Sequence, residues 1–398
     1  MENNSLKIFL EINRYNYIFF VGKKNENENF KIIYQSEISS EGIENNKIYD
    51  LEKTYNKIKK EVYIIEKKLN YVFKEIILIL DYFNPTFINL TGYKKLNGSQ
   101  VSRENITYIL NTLKSCVEEV EPKKKVMHIF NSKFYLDDKK IENLPLGLFG
   151  EFYSHELSFI LTSTDDYDNL KNIFDKCRLK IKKILIKSFV NGVNISENHK
   201  NIDTFFYFEI NDKHSKVFFF ENNSLQFEQN FSFGTDIIIQ DISKITSLNL
   251  KDVKKILEKI ENIKDGMLGA ELIDNDLHNN SLRKIKKKLI YEIAHARIKE
   301  IAEITLFKNI NLKYFNKINK NIYFKIDDKL YSKSFLELFK TIFSMENKFN
   351  IIFLKNSSIE SYLSSVDRVV HYGWKKEAIP FSEVKKSILA QFFGILFK

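Results

Sequence analysis

The chain has 398 residues, of which 43% are hydrophobic and 14% aromatic, and a formal net charge of +10. That length exceeds what one hydrophobic core usually fills, so two or more lobes are expected, and the apolar content excludes a disordered chain. The lysines are spread along the sequence and no aromatic–basic platform stands among them, so nucleic acid is not an expected partner. An anionic membrane surface suits the same charge.

Two cysteines, Cys116 and Cys177, show neither a CxxC nor a Cys/His spacing suited to zinc. They read as small buried hydrophobes in a reducing compartment, and no metal site is expected. The first residues lack a charged stretch followed by an apolar one, so no secretory signal is expected. No apolar run approaches the ~20 residues that span a bilayer, and the expectation is a cytosolic protein. The 12 glycines form neither GxGxxG nor GxxxxGK[ST]; "VGKK" at 21–24 lacks the first glycine. Backbone N–H groups need such glycines to approach a phosphate closely, so a glycine-loop nucleotide site is not expected.

In chain order, residues 6–12 and 17–22 read as a strand hairpin and 29–38 as a third strand. Residues 51–73 place Ile58, Val62, Ile65, Leu69 and Val72 at helical spacing. A buried strand follows at 75–80, then short strands around one helix at 103–120. Residues 165–177 read as a helix and 181–189 as a strand. The phrase "FLEIN" at 9–13 then returns as "YFEIN" at 207–211, each placing an acid, Glu11 or Glu209, before a turn. After the second copy come a strand at 224–233 and helices at 236–246, 250–263 and 282–305. Strands at 321–326 and 350–354 flank a helix at 334–343. A repeated hairpin, each followed by βα units, predicts a duplicated α/β fold with two lobes.

Three stretches carry a resemblance. "SRENITYIL" (102–110), "VMHIFNSKFYLDDKKIENLPLGLFG" (126–150) and "HELSFILTSTDDYDNLKNIFDKCRLKI" (155–181) follow patterns of one subdomain in FtsA. FtsA is the actin-like bacterial division protein that links FtsZ filaments to the membrane, and the chain resembles it essentially throughout. The resemblance implies an actin-like two-lobe fold with ribonuclease-H-like lobes, an FtsA-type inserted subdomain and a C-terminal amphipathic helix. It assigns 1–84 and 163–203 to the first lobe's core and 85–162 to the insert. Residues 204–234 and 321–372 become the second lobe's core, 235–320 its helical FtsZ-binding part, 373–380 a linker and 381–398 a membrane-targeting helix.

In that family two strand–turn motifs hold ATP phosphates and Mg²⁺. Here "DIGTSK" becomes "EINRYN" (11–16), "DIGGGTxD" becomes "EINDKHSK" (209–216), and the third loop "TGGxxxIxG" becomes "FLKNSSIES" (353–361). Glu11 and Glu209 keep an acid. Asn13, Arg14, Asn211, Asp212, Leu354 and Lys355 replace small residues, and the adenine-side positions carry Val253, Lys254 and Leu257. ATP and Mg²⁺ are the family's cofactors, but these substitutions imply none here, and the expected reading is a pseudo-ATPase without a catalytic residue. Carboxylates without donors for developing charge serve phosphoryl transfer poorly.

Two further sites follow from the resemblance. Arg297, Lys299 and Glu300 stand where the family's helix receives the FtsZ C-terminal tail, and a guanidinium suits carboxylate pairing. Over 382–398, Val384, Ile388, Phe392 and Ile395 share one helical stripe, widened by Leu389, Phe393 and Leu396, with Lys385 and Lys386 able to snorkel. Trp374 reads either as a membrane-interface anchor or as a cap on the second lobe. The implied function is an adaptor tethering FtsZ to the cytoplasmic face of the membrane at the division site. Anionic lipids, copies of itself and later division proteins are the remaining partners. The alternatives are a nucleotide-dependent polymerising ATPase with an altered site and a PilM-like adaptor of another envelope machine.

Overall fold

The computed structural model describes residues 5–25, 30–44, 47–81, 84–199, 202–259, 285–312, 321–326, 333–345, 350–354 and 358–378. The chain divides into two compact units, one of residues 1–203, 220–227 and 357–398, the other of 204–219 and 228–356.

The first unit opens with β1 (Lys7–Ile12), β2 (Asn16–Lys24) and β3 (Phe30–Ser39), then a two-residue ladder of β4 (Ile43–Glu44) and β5 (Lys47–Ile48). Helix α1 (Leu51–Leu69) begins where the Asp50 side chain accepts the Lys53 N–H. It stops at Asn70, which turns left-handed (φ 49°) and returns its N–H to the Glu66 carbonyl. That cap ends the helix short of residue 73. β6 (Glu75–Leu80) follows, and after an excursion the unit resumes with α3 (Thr164–Lys176), β11 (Lys180–Ile186) and α4 (Lys187–Asn198). The sheet order is β11-β6-β1-β2-β3. β1 pairs antiparallel with β2 and parallel with β6, so the hairpin lies beside a parallel βαβ arrangement.

The excursion is a sheet of its own: β7 (Thr86–Lys95), β8 (Lys124–Leu136), β9 (Lys139–Ile141) and β10 (Phe152–Ser163), ordered β7-β10-β8-β9. α2 (Arg103–Val120) starts in a Ser102/Asn105 capping box and buries Ile106, Ile109, Leu110, Leu113 and Val117. Those side chains join Phe134, Tyr153, Leu157 and Phe159 in a core separate from that of the first sheet.

The second sheet and its helices comprise β12 (Phe205–Ile210), β13 (Ser215–Glu221), β14 (Ser224–Phe231), α5 (Asp236–Thr246), α6 (Leu250–Lys259) and α7 (Lys287–Ala302), then β15 (Asn321–Ile326), α8 (Lys333–Ser344) and β16 (Asn350–Phe353), with residues 220–227 grouped in the first unit. The sheet order is β14-β13-β12-β15-β16, with β12, β15 and β16 parallel. Read from the other edge, this is the first sheet's order again: hairpin and third strand, then two parallel strands. The echoed phrases are therefore the first strands of two copies of one sheet. A π-helical turn, Glu303–Phe307, extends α7.

Four more expectations change. Residues 187–189 open α4 rather than closing a strand: Phe189, Val190 and Val193 are buried on a helical period, and Gly192 has no room for a Cβ, which would lie 2.5 Å from the Phe220 ring. α9 (Ile359–Tyr372) belongs to the first unit, not to the second lobe's core. Buried Asp367 pairs there with Lys7 (2.5 Å) and Lys24 (3.4 Å), and Ser365 donates to Glu197 (2.6 Å). Residues 374–378, expected as linker, are docked: Asn131 N–H donates to the Lys376 carbonyl and Ala378 N–H to that of Ile129, both at 2.7 Å. Trp374 is buried in the first unit, its indole N–H donating to the Asn223 carbonyl (2.6 Å). Cys116 is exposed and Cys177 half-buried, so neither is a core side chain.

Candidate functional site

β1 delivers Glu11 to the turn that joins it to β2. The Asn13 side-chain oxygen accepts the N–H groups of Tyr15 (2.9 Å) and Asn16 (2.8 Å), and the Asn13 N–H donates to the Asn16 carbonyl (3.1 Å). A glycine turn that cradles phosphate leaves such N–H groups facing the anion; here one side-chain amide uses them. Arg14 and Tyr15 are exposed, the guanidinium 5.6 Å from the ring centroid. Glu11 is 5% exposed. Lys187, the first residue of α4, sets its ammonium 2.6 Å from Glu11 Oε1 and 3.0 Å from Asp81 Oδ2, at the end of β6. Two acids at adjacent parallel strand ends thus share one built-in cation.

The second turn is closed by other atoms. The Asn211 N–H donates to the His214 carbonyl (2.9 Å), and Asn211 Nδ2 lies 3.1 Å from His214 Nε2. The carbonyls of Asn211 and Asp212 accept the N–H groups of Thr235 (2.9 Å) and Asp236 (2.8 Å). Those donors belong to the start of α5, where a helix N-terminus otherwise offers an anion site. Gly234 permits the approach, because a Cβ there would lie 2.0 Å from the Asn211 carbonyl oxygen. Glu209 is buried, and Lys325 on the neighbouring strand β15 reaches it at 3.3 Å.

The remaining positions are scattered through the second unit or fall outside the described residues. Leu354 donates its N–H to the Phe324 carbonyl (2.8 Å), whereas Lys355 lies outside the described residues. Val253 and Leu257 are fully buried, and Lys254 lies 3.9 Å from Asp236. Arg297 on α7 is engaged by its own chain: its Nε donates to Asp241 of α5 and its Nη1 to Glu300 (2.6 Å). The bond to Asp241 raises the guanidinium further above its already high value. Lys299 and Glu300 are exposed. Val384, Lys385, Lys386, Ile388, Leu389, Phe392, Phe393, Ile395 and Leu396 all lie outside the described residues.

Among the described residues, no helix is long and apolar enough to cross a membrane, and no three His, Cys, Asp or Glu side chains gather as metal ligands. A pocket of about 360 Å³ in the first unit, lined by Lys7, Phe73, Lys182 and Asp367 among others, lies at the beginnings of β1 and β6, away from Glu11 at the strand's other end. Sequence reasoning missed Asp81, Lys187, Gly234 and Lys325. Asp81 carries a signal, an acid directly after the apolar run 76–80; Lys187 and Lys325 carry none in so lysine-rich a chain.

Two sheets of identical order, each led by an antiparallel hairpin and extended by parallel strands, define an actin-like fold. A solved chain of the PilM–PilN type IV pilus biogenesis complex matches with a TM-score of 0.53 at 9% identity, covering 92% of this chain and 96% of that one. The ethanolamine utilization protein EutJ of Carboxydothermus hydrogenoformans matches with 0.45 at 8% identity over 90% and 88%. No family model matches the chain. By sequence, the cell division protein FtsA of Buchnera aphidicola subsp. Schizaphis graminum is 20% identical over 302 residues, 75% of this chain and 72% of that one. The chain has an actin-like fold and is similar in sequence, at low identity over three quarters of its length, to FtsA.

Proposed function

We propose that the protein is a cell-division adaptor: it tethers FtsZ filaments to the inner face of the cytoplasmic membrane, at the division site, and recruits later division proteins without hydrolysing ATP. The division role is drawn from the likeness to FtsA. The loss of ATP chemistry is carried by one observation, the internal closure of both turns. Asn13 and the carbonyls of Asn211 and Asp212 take the N–H groups a phosphate needs, while Lys187 and Lys325 neutralise the acids a metal ion needs. Fluorescent ATP titrated onto the purified full chain should give no saturable binding, and micromolar affinity would refute the pseudo-ATPase reading.

The FtsZ-facing role of Arg297 is supported by its half-exposed place on α7, with the qualification that Asp241 already holds it. An acidic tail must compete with that carboxylate. Asp241→Asn is therefore expected to tighten binding of an FtsZ tail peptide several-fold, and Arg297→Glu to abolish it. A peptide indifferent to both changes binds elsewhere. Peripheral attachment rests on the apolar stripe from Val384 to Leu396 in the sequence. A PilM-like role in another envelope machine shares the fold, and co-purification with FtsZ separates the two.

A further inference from the structure

The segment after α9 is held from three sides. It runs antiparallel to β8, with Glu377 opposite Phe130, and the two 2.7 Å backbone hydrogen bonds flank that pair. Trp374 sits against Phe189 of α4, and its indole N–H caps the Asn223 carbonyl at the tip of the β13–β14 hairpin. Glu377 is 7% exposed, and each of its oxygens meets a different element: Oε1 lies 2.9 Å from His128 Nδ1 on β8, and Oε2 accepts from Lys183 on β11 (2.7 Å). Burial pushes the Glu377 carboxyl up, but Lys183 and His128 outweigh it and hold it down at about 2. The group is therefore charged at any physiological pH, and the clasp persists.

A free linker shows none of this. Linkers leave backbone groups to water and carry no buried charge. A buried carboxylate that meets a histidine on one sheet and a lysine on another fixes position as well as register, because losing the lysine leaves its charge unpaired in the interior.

We propose that residues 374–378 are a fixed strap, clasped by Glu377, which fixes Ala378, the residue from which 379–398 continue, beside Ile129, with the strap running toward the start of β8. The second half of the proposal rests on the membrane reading above. Val384, the first residue of the apolar stripe, follows Ala378 by six positions. An extended chain covers about 3.4 Å per residue, so the stripe begins within ~20 Å of the strap. A membrane-bound tail then holds the Lys124–His128 end of the inserted sheet near the bilayer and its opposite end, around Leu148 and Phe152, away from it.

Hydrogen exchange on the unmodified full chain tests the strap alone. The Lys376–Ala378 peptide should exchange within about ten-fold of β8 itself, as pinned amides do, and free exchange there overturns the strap. Glu377→Gln should speed exchange at that peptide by at least about ten-fold while leaving β12 unchanged; no change overturns the clasp. The second half is read on vesicles of phosphatidylcholine and phosphatidylglycerol carrying a quencher lipid. A fluorophore at Lys125→Cys, in a Cys116→Ser, Cys177→Ser background, should be quenched more than one at Leu148→Cys. Equal or inverted quenching on bound protein overturns the orientation. Failure to bind the vesicles overturns the membrane reading instead, and leaves the exchange result to decide the strap.

Discussion

Glu11 and Glu209 stand at the same place in two copies of one sheet, yet their surroundings differ. The first shares Lys187 with Asp81, and that lysine is 22% exposed; the second meets Lys325, 39% exposed. The turns differ in kind too. Asn13 closes its turn with a side-chain oxygen, whereas Asn211 and Asp212 close theirs with main-chain carbonyls that no substitution removes. The same sheet order thus carries two different ways of closing the turn after its first strand, one dependent on a side chain and one on the backbone. Substituting the turn asparagine should therefore weaken the first turn more than the second.

The largest test of that contrast is the lysine pair. Lys187→Ala leaves Glu11 and Asp81 facing one another with their shared cation gone, and breaking a buried pair costs about 3–5 kcal/mol. Lys325→Ala removes a partly solvated partner and should cost about 1 kcal/mol or less. Urea unfolding midpoints of the two variants check this, and equal shifts would erase the distinction. A triple variant, Glu11→Gln with Asp81→Asn and Lys187→Met, should recover much of the first loss, because neutral groups need no counter-charge.

The next effect belongs to the second copy. Gly234→Ala places a Cβ 2.0 Å from the Asn211 carbonyl oxygen, so the turn must move away from α5. Overpacking of that kind costs about 1–3 kcal/mol. Loss of the two carbonyl contacts should appear as faster amide exchange at Thr235 and Asp236. If those amides stay protected, backbone closure is not what holds the second turn.

Much of this architecture was legible because it is written locally. Apolar runs at 7–12 and 205–210, the helical spacing of Ile58, Val62 and Ile65, and the repeated phrase together carried the two-lobe reading. What stayed hidden depends on partners distant in sequence. Lys187 reads as one lysine among many until α4 starts there and brings it to Glu11, 176 positions away. Asn191 and Gly192 resemble a turn, and only Phe220 packed against the glycine shows why a helix runs through them. α9 has no internal mark of which unit it joins; Lys7 and Lys24 decide that through Asp367. The Gly373–Ala378 stretch carries linker-like residues, and Glu377 becomes a clasp only once β8 and β11 stand beside it.

The smallest effects concern the asparagines themselves. Asn13→Ala removes the acceptor of two turn N–H groups and should cost about 1 kcal/mol, in the range of a lost side-chain cap. Asn211→Ala keeps the carbonyl that receives Thr235 and should cost only a few tenths. Restoring glycine at both places, Asn13→Gly with Asn211→Gly, sharpens the comparison from the functional side. In the first turn the freed N–H groups become available, but Lys187 still occupies the space between Glu11 and Asp81. In the second nothing is freed, since the carbonyls of residues 211 and 212 remain bonded to the start of α5. The double variant should therefore lose a little stability and gain no measurable affinity for ATP. Adding Lys187→Ser is the step that would expose the paired acids to a divalent cation, and calorimetric titration with Mg²⁺, with and without ATP, reads which of the two copies had been closed by its side chains.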